Sequence, residues 1–118
     1  FALVGVGLVL IVNLNKSEVK TKFNEKHYQT LLCDKLGGVM EFRLKDNTRV
    51  DCLTDEYAIE VDWAKKWAEG IGQSLYYAEM TNKKPAVALI VGKKDQRYLN
   101  RINKVANKVG ITIIEIKK

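Results

Sequence analysis

A continuous apolar run near the end of the chain constrains the fold most strongly. Residues 86–91 read AVALIV and contain no polar side chain. A short run of this kind is typical of a strand that is buried on both of its faces. Two amphipathic helical patterns flank it, at residues 63–81 and 94–109. We therefore expect an α/β fold in which helices cover both faces of a sheet.

The rest of the chain supplies one more helix and four more strands. Residues 23–36 carry apolar side chains at helical spacing and are followed by Gly37 and Gly38, a common helix stop. Residues 39–44, 49–53 and 57–62 have strand patterns separated by turns, and residues 111–116 form a last strand. The predicted order is α-β-β-β-α-β-α-β, a mixed β-sheet flanked by helices.

The beginning of the chain differs in composition from the remainder. Residues 1–12 read FALVGVGLVLIV, without a polar side chain. This run is too short to span a bilayer, which needs about 20 residues, but it fits the apolar part of an export signal. We interpret residues 1–15 as a signal or anchor remnant, with membrane association through residues 1–14, and residues 16–118 as one domain. That predicts an exported protein, periplasmic or membrane-anchored; the alternative is a buried strand or helix in a cytoplasmic protein.

Two cysteines, Cys33 and Cys52, have a spacing that matches no metal-binding pattern. In a reducing compartment they are expected to be buried thiols, and in an oxidising one a disulfide. The chain has a single histidine, His27, which argues against a histidine-based metal site or catalytic triad.

The charge of the chain favours an anionic partner. Its formal net charge is +6 and its pI is about 9.3, which is typical of proteins that bind nucleic acid or acidic lipid. The last helix places basic side chains on one face, which could follow a phosphate backbone or could simply be solvated. These side chains are Arg97, Arg101, Lys104 and Lys108. The oligomeric state is left open.

Two acidic residues of neighbouring predicted strands form the first candidate site. Side chains alternate between the two faces of a strand, so Glu60 and Asp62 point away from the face that Ile59 and Val61 occupy. Pairing of the strands could bring Asp51 beside Glu60. Two carboxylates so placed suit Mg²⁺ or Mn²⁺. The alternative is that both are ordinary surface residues.

The helix that follows offers polar residues on one of its faces. Gln73 and Tyr77 are four residues apart, and Lys66 precedes Gln73 by seven, so the three share a face. They could converge with Glu60 and Asp62 where the strand enters the helix. The alternative is a polar helix edge in solvent.

Taken in order, these segments resemble the PD-(D/E)XK, or restriction-endonuclease-like, nuclease superfamily. The resemblance rests on the motifs RVD (49–51), IEVD (59–62) and GQSLYY (72–77), and the Q-x-x-x-Y element from Gln73 to Tyr77 is similar to its exonuclease branch. It covers roughly residues 23–91. Residues 37–85 look more narrowly like small uncharacterised bacterial members, often with export signals.

The resemblance implies a role for each matching residue. Asp51 and Glu60 would bind Mg²⁺ or Mn²⁺ with the Val61 carbonyl, and Glu25 or Glu41 would assist. Gln73 and Tyr77 would hold the substrate or a lysine, and Arg49 would contact a phosphate. The implied function is metal-dependent hydrolysis of phosphodiester bonds in DNA or RNA, without an organic cofactor.

One position departs from the family pattern. The family has a lysine two residues after the second carboxylate, where this chain has Asp62. Lys66, or less favourably Lys65, could supply the missing cation from the helix. Alternatively, Asp62 adds a ligand, or catalysis is lost. The second interpretation of the chain is therefore a non-catalytic binding module with the nuclease fold, exported or membrane-attached.

Overall fold

A computed structural model of the chain describes residues 9–12 and 22–118, which form a six-stranded sheet and three α-helices. The elements are β1 (Val9–Val12), α1 (Glu25–Leu36), β2 (Val39–Arg43), β3 (Arg49–Leu53), β4 (Tyr57–Trp63), a 3₁₀ helix (Ala64–Lys66), α2 (Trp67–Thr81), β5 (Lys84–Val91), α3 (Gln96–Val109) and β6 (Thr112–Lys117).

The sheet is mixed, in the order β1-β6-β5-β4-β3-β2. β2, β3 and β4 form an antiparallel meander. β4, β5, β6 and β1 are parallel to their neighbours. The predicted mixed α/β architecture is therefore confirmed. The comparisons below do not support the finer prediction of a nuclease core.

Helices cover both faces of the sheet, as the apolar run in β5 requires. Ala86, Ala88 and Ile90 pack in one core with residues of α1. Val87 and Leu89, which alternate with them, pack in a second core with residues of α3. β5 is thus the central strand whose two faces are both buried, which explains its lack of polar side chains.

The predicted helix at residues 63–81 begins later than its pattern indicated. Trp63 is still part of β4, where it pairs with Ile90 of β5 and its ring meets Tyr28 of α1 edge-on, with centroids 6.0 Å apart. A 3₁₀ turn follows, and the α-helix starts at Trp67. Sheet pairing and burial of the indole ring decide this boundary, and helical periodicity cannot report either.

β1 adds a strand that the predicted order lacks. Residues 9–12 pair in parallel with β6, from Val9 opposite Ile113 to Val12 opposite Ile116. The sequence of this strand, VLIV, is rich in β-branched residues, which favour strand conformation. The rest of the predicted signal or anchor segment lies outside the described residues, so that interpretation stays a prediction. Within the described ranges, no helix is long and apolar enough to cross a membrane.

The two cysteines form a disulfide that joins α1 to β3. The Cα atoms of Cys33 and Cys52 are 5.7 Å apart, and both side chains are fully buried. Gly38 lies against the bridge, since a Cβ at this position would be 2.5 Å from one sulfur and 2.9 Å from the other. A glycine is therefore required where the chain leaves α1 for β2.

Candidate functional site

Two regions of opposite charge lie beside β4. The first, here called the acidic cluster, lies where β3 and β4 meet α1 and α2. Its members are Glu25, Glu41, Asp51, Glu60 and Asp62, with Lys66 beside them. The second, here called the basic cleft, lies beyond the carboxyl ends of β4, β5 and β6. Its cations are Lys65, Lys93, Lys94, Arg97, Lys117 and Lys118.

Asp51 is the centre of the acidic cluster because the sheet is interrupted around it. The β3–β4 register pairs Cys52 with Ile59, and one further step puts Asp51 opposite Glu60. At that step the Asp51 carboxylate accepts a hydrogen bond from the backbone N–H of Val61, at 2.8 Å. The backbone carbonyl oxygen of Asp51 accepts another hydrogen bond, from Nε2 of the buried Gln29, also at 2.8 Å. The Asp51 side chain and Gln29 of α1 thus take the place of regular backbone hydrogen bonds between β3 and β4 at this position.

The neighbouring strand β2 is irregular at the same level. Met40 pairs with Cys52 and Phe42 with Val50, but Glu41, opposite Asp51, has a φ of 53° and leaves the ladder. Positive φ is unfavourable for a residue with a Cβ. The Glu41 carboxylate turns to Lys26 of α1 and forms an ion pair of 2.6 Å. Both neighbours of β3 therefore deviate at Asp51.

Glu60 and Asp62 are buried, contrary to the alternative that they lie on a solvated face. Their exposed fractions are 5% and 7%. Burial raises the pKa of Glu60 far above its usual range, and a hydrogen bond with Asp51 adds to the shift. Burial, followed by the negative charges of Glu25 and Asp51, raises the pKa of Asp62 to about 7, although Lys66 opposes this. A raised pKa favours the protonated, neutral form of Glu60, which lowers the repulsion between the neighbouring carboxylates.

A close approach of α2 makes this burial possible. A Cβ on Gly70 would lie 3.1 Å from Val87 of β5 and 3.3 Å from Oδ2 of Asp62. That carboxylate oxygen is buried and has no hydrogen-bond partner among the described residues. Gly70, one of two helix glycines in the sequence, is therefore explained by packing against the sheet, whereas a Cβ at Gly72 would meet open space.

The other predicted site residues are distributed unevenly. Tyr77 is buried, and its pKa is raised first by burial and then by the charges of Glu60 and Asp51, so it lies near the cluster. Burial is also the main cause of the raised pKa of Glu25. Gln73 and Arg49 are exposed. The helix-face argument placed Tyr77 near the carboxylates, as the structure does, while the predicted contribution of Gln73 to the site stays a prediction.

The basic cleft is built by the chain segments that follow the parallel strands. After β5, a tight turn is closed by Asp95, whose carboxylate accepts a hydrogen bond from the backbone N–H of Gly92 at 2.7 Å. This turn presents Lys93 and Lys94 to solvent. After β6, the backbone N–H of Lys118 donates to Val91 at 3.1 Å, which carries the Lys118 side chain over Gly92.

Two adjoining cavities of about 670 and 470 Å³ make up the cleft. They share Lys94, Asp95 and Lys118. Six cationic side chains line them against two carboxylates, Asp95 and Glu115. All six cations are exposed, and within the described part of the chain none of them forms an ion pair. The concave surface therefore carries a high positive charge that no ion pair within the described residues neutralises.

Sequence reasoning missed most of this surface, although a signal was present. Each of the three central parallel strands ends at a Lys-Lys pair: 65–66 after β4, 93–94 after β5 and 117–118 at the end of β6. Ligands of open α/β sheets bind beyond the carboxyl ends of parallel strands. The predicted basic face of the last helix meets the cleft only at Arg97. Arg101, Lys104 and Lys108 are also exposed on α3 but do not line the cavities.

Comparisons with known proteins connect the chain to viral proteins. It is 36% identical, over 93 residues, to a KilA-N domain-containing protein of Acanthamoeba polyphaga mimivirus; the match covers 75% of this chain and 35% of the relative. A second KilA-N domain-containing protein of the same virus is 30% identical over 90 residues, with 76% of this chain and 24% of that protein covered. The chain thus spans about a third of the first relative's length and about a quarter of the second's. No protein-family model and no solved structure matches the sequence.

These relatives overturn the predicted resemblance to small bacterial PD-(D/E)XK nucleases. The proteins found are viral, and they are named for a KilA-N domain rather than for a nuclease. The prediction of metal-dependent phosphodiester hydrolysis, which depended on that resemblance, is wrong. The description of the chain as metal-binding is also unsupported, because residues 9–12 and 22–118 contain no group of three or more His, Cys, Asp or Glu that could hold a metal ion. The roles of the individual site residues and the Mg²⁺ or Mn²⁺ cofactor stay untested predictions.

Proposed function

We propose that this chain is a nucleic-acid-binding domain that holds the phosphate backbone in the basic cleft. The observation that carries the proposal is the set of six exposed cations around one concave surface. Within the described residues, none of them forms an ion pair. Phosphate groups are the ligands that such a set of lysines and an arginine would neutralise, with release of counterions. The net charge of +6 adds a favourable long-range field.

The position of the cleft supports a binding role over an ordinary solvated surface. It lies beyond the carboxyl ends of three adjacent parallel strands, where the loops between strands and helices leave a crevice. Rigid, buried strands fix the loops that carry the lysines, so the cations converge without ordering a flexible segment. Both relatives are named for a KilA-N domain, which is consistent with a nucleic acid as the ligand, although this chain matches only 35% and 24% of their lengths.

The acidic cluster takes no part in this proposal. Glu60 and Asp62 are buried, the Asp51 carboxylate accepts a hydrogen bond and Glu41 is paired with Lys26, so these four groups present less negative charge to a polyanion than exposed carboxylates would. This matters because an exposed cluster of carboxylates so close to the cleft would repel phosphate.

The test is the affinity of the protein for a fluorescent 20-nucleotide strand, measured by anisotropy at several salt concentrations. Lys94→Ala combined with Lys118→Ala removes two cations shared by both cavities. We expect at least a tenfold loss of affinity and a shallower salt dependence, by roughly 0.7 per lost phosphate contact.

The matched control is Lys35→Ala combined with Lys45→Ala, which removes the same charge from exposed positions outside the cleft. It should retain affinity within about twofold. Equal losses in the two double variants would show that only overall charge matters, and the proposal of a binding cleft would then be wrong.

A further inference from the structure

We infer that the basic cleft takes a single-stranded nucleic acid and stacks one of its bases at the aromatic wall formed by Tyr98 and Trp63. This inference rests on the proposed function and specifies its ligand. The smaller cavity, of about 470 Å³, is lined by these two rings together with Lys65, Lys94, Arg97 and Lys118. Pockets that bury small organic groups have about 300–1,000 Å³, so the cavity is large enough for a base.

The two rings are held firmly from behind. Trp63 is the last residue of β4, and the ring of the buried Tyr28 contacts it edge-on. Tyr98 lies in the first turn of α3 and packs against the core beneath that helix. Both residues are half-buried. Rings fixed in this way can receive a base at little entropic cost, since few rotamers remain to be lost.

Cations lie over both rings, two of them over Tyr98. The guanidinium carbons of Arg97 and Arg101 lie 4.5 and 5.5 Å from the centre of the Tyr98 ring, and Nη2 of Arg97 donates a hydrogen bond of 2.9 Å to the Tyr98 hydroxyl. Nζ of Lys118 lies 4.9 Å from the centre of the Trp63 ring. A guanidinium held over an aromatic ring offers its outer face to a base, and Arg97 and Lys118 remain available to the adjoining phosphates.

A duplex would leave this wall unused. Its bases are stacked on each other inside the helix, so it presents phosphates and base edges but no base face. A single strand exposes base faces, and proteins that bind it combine a basic groove with aromatic or arginine stacking platforms. The cleft has both elements within one cavity, whereas a surface for duplex backbone alone requires only the cations.

Three ligands with nearly the same number of phosphates test the inference on the unmodified protein. They are a labelled 12-nucleotide single strand, a duplex of six base pairs, and a 12-residue abasic strand. We expect the single strand to bind at least tenfold more tightly than the other two. Equal affinity for the normal and abasic strands, or tighter binding of the duplex, would overturn the inference while leaving the proposed function intact. If none of the three binds, the proposed function itself fails.

Substitutions at Tyr98 provide a second measurement. Tyr98→Leu removes the ring and should reduce the preference for the normal over the abasic strand to less than threefold. Tyr98→Phe keeps the ring and loses only the hydroxyl that anchors Arg97, so most of the preference should remain. An identical preference in the leucine variant and the unmodified protein would contradict a stacking role for this residue.

Discussion

The acidic cluster and the basic cleft lie on either side of the end of β4, yet the fold treats their charges in opposite ways. In the cluster, Glu60 and Asp62 are almost completely buried and their pKa values are raised, so charge is removed by protonation and hydrogen bonding. In the cleft, the cations are exposed and make no recorded ion pair in the described part of the chain. Glu60 and Asp62 thus belong to the interior, where they affect stability, while the cations face solvent, where the proposed ligand could reach them.

The largest effect expected from breaking this arrangement concerns the disulfide beside the cluster. Cys33 and Cys52 are separated by 19 residues and tie α1 to β3 next to Asp51. Removing the bridge with Cys33→Ala and Cys52→Ala should lower the free energy of unfolding by about 3 kcal/mol, because the unfolded chain gains the entropy of an open loop. Urea denaturation measures this change.

The basic cleft has no such cross-link. As long as the double alanine variant is folded, its affinity for nucleic acid should therefore differ less than twofold from that of the unmodified protein. The alanine variant should also be insensitive to reductant, which controls for other effects of the reagent. If reduction of the disulfide left the urea midpoint of the unmodified protein unchanged, the prediction would be wrong.

The next effect should be a gain of stability. We expect Glu60 to be protonated in the folded protein at pH 8, because burial raises its pKa, and ionised in the unfolded chain, where the pKa is about 4.3. Folding therefore takes up a proton, and stability falls as the pH rises above the unfolded value. Glu60→Gln, which is neutral and can still donate to Asp51, should stabilise the protein by about 2 kcal/mol at pH 8 and change little at pH 4.

The matched control is Glu79→Gln, at an exposed position of α2, which should change the free energy of unfolding by less than about 0.5 kcal/mol. Most substitutions destabilise, so a stabilising Glu60→Gln is a specific outcome. A destabilised variant at pH 8 would show that Glu60 is ionised in the fold.

Sequence patterns predicted the fold further than the site. Periodicity is a local property, so it located the helices, the meander and the central strand formed by residues 86–91. It also predicted that Asp51 and Glu60 could lie side by side, because neighbouring antiparallel strands bring such residues together. It did not predict that Asp62 would be buried, since this depends on the approach of α2 at Gly70, a contact between separate elements of the fold.

The function was predicted less well because the motifs were short. Carboxylates on adjacent strands suggested a metal site, which stays an untested prediction; in this fold burial raises the pKa of Glu60 and of Asp62. The lysine pairs at residues 65–66, 93–94 and 117–118 were visible in the sequence. Their meaning depends on the parallel order of β4, β5 and β6, which brings the three segments to one edge of the sheet.

Asp62 should show a smaller effect with a different pH range. Its pKa is raised to about 7, mainly by burial, from an ordinary value near 3.8. Stability from the protonated form is fully present below pH 4 and is lost as the pH rises to about 7. Asp62→Asn should therefore have a flatter profile across this range and gain about 1 kcal/mol above pH 7. The gain is smaller than for Glu60 because Lys66 favours the charged form of Asp62.

The profile comes from urea denaturation of both proteins at intervals between pH 4 and pH 8. Asp55→Asn, at an exposed turn position, is the matched control and should reproduce the profile of the unmodified protein. Parallel profiles for Asp62→Asn and the unmodified protein would mean that this carboxylate does not titrate in the expected range.

The smallest effect on stability is expected in the basic cleft, and it separates the two regions most clearly. Lys94→Ala combined with Lys118→Ala removes exposed charges that make no recorded ion pair in the described ranges, and the bond from the Lys118 backbone N–H to Val91 is retained. Only the contact of Lys118 with the Trp63 ring is lost, which at an exposed site contributes about 0.5 kcal/mol. The free energy of unfolding should therefore change by no more than about that amount, while nucleic-acid affinity falls at least tenfold. Were this variant markedly unstable, its loss of binding would reflect unfolding, and the assignment of ligand binding to the cleft and stability to the cluster would not hold.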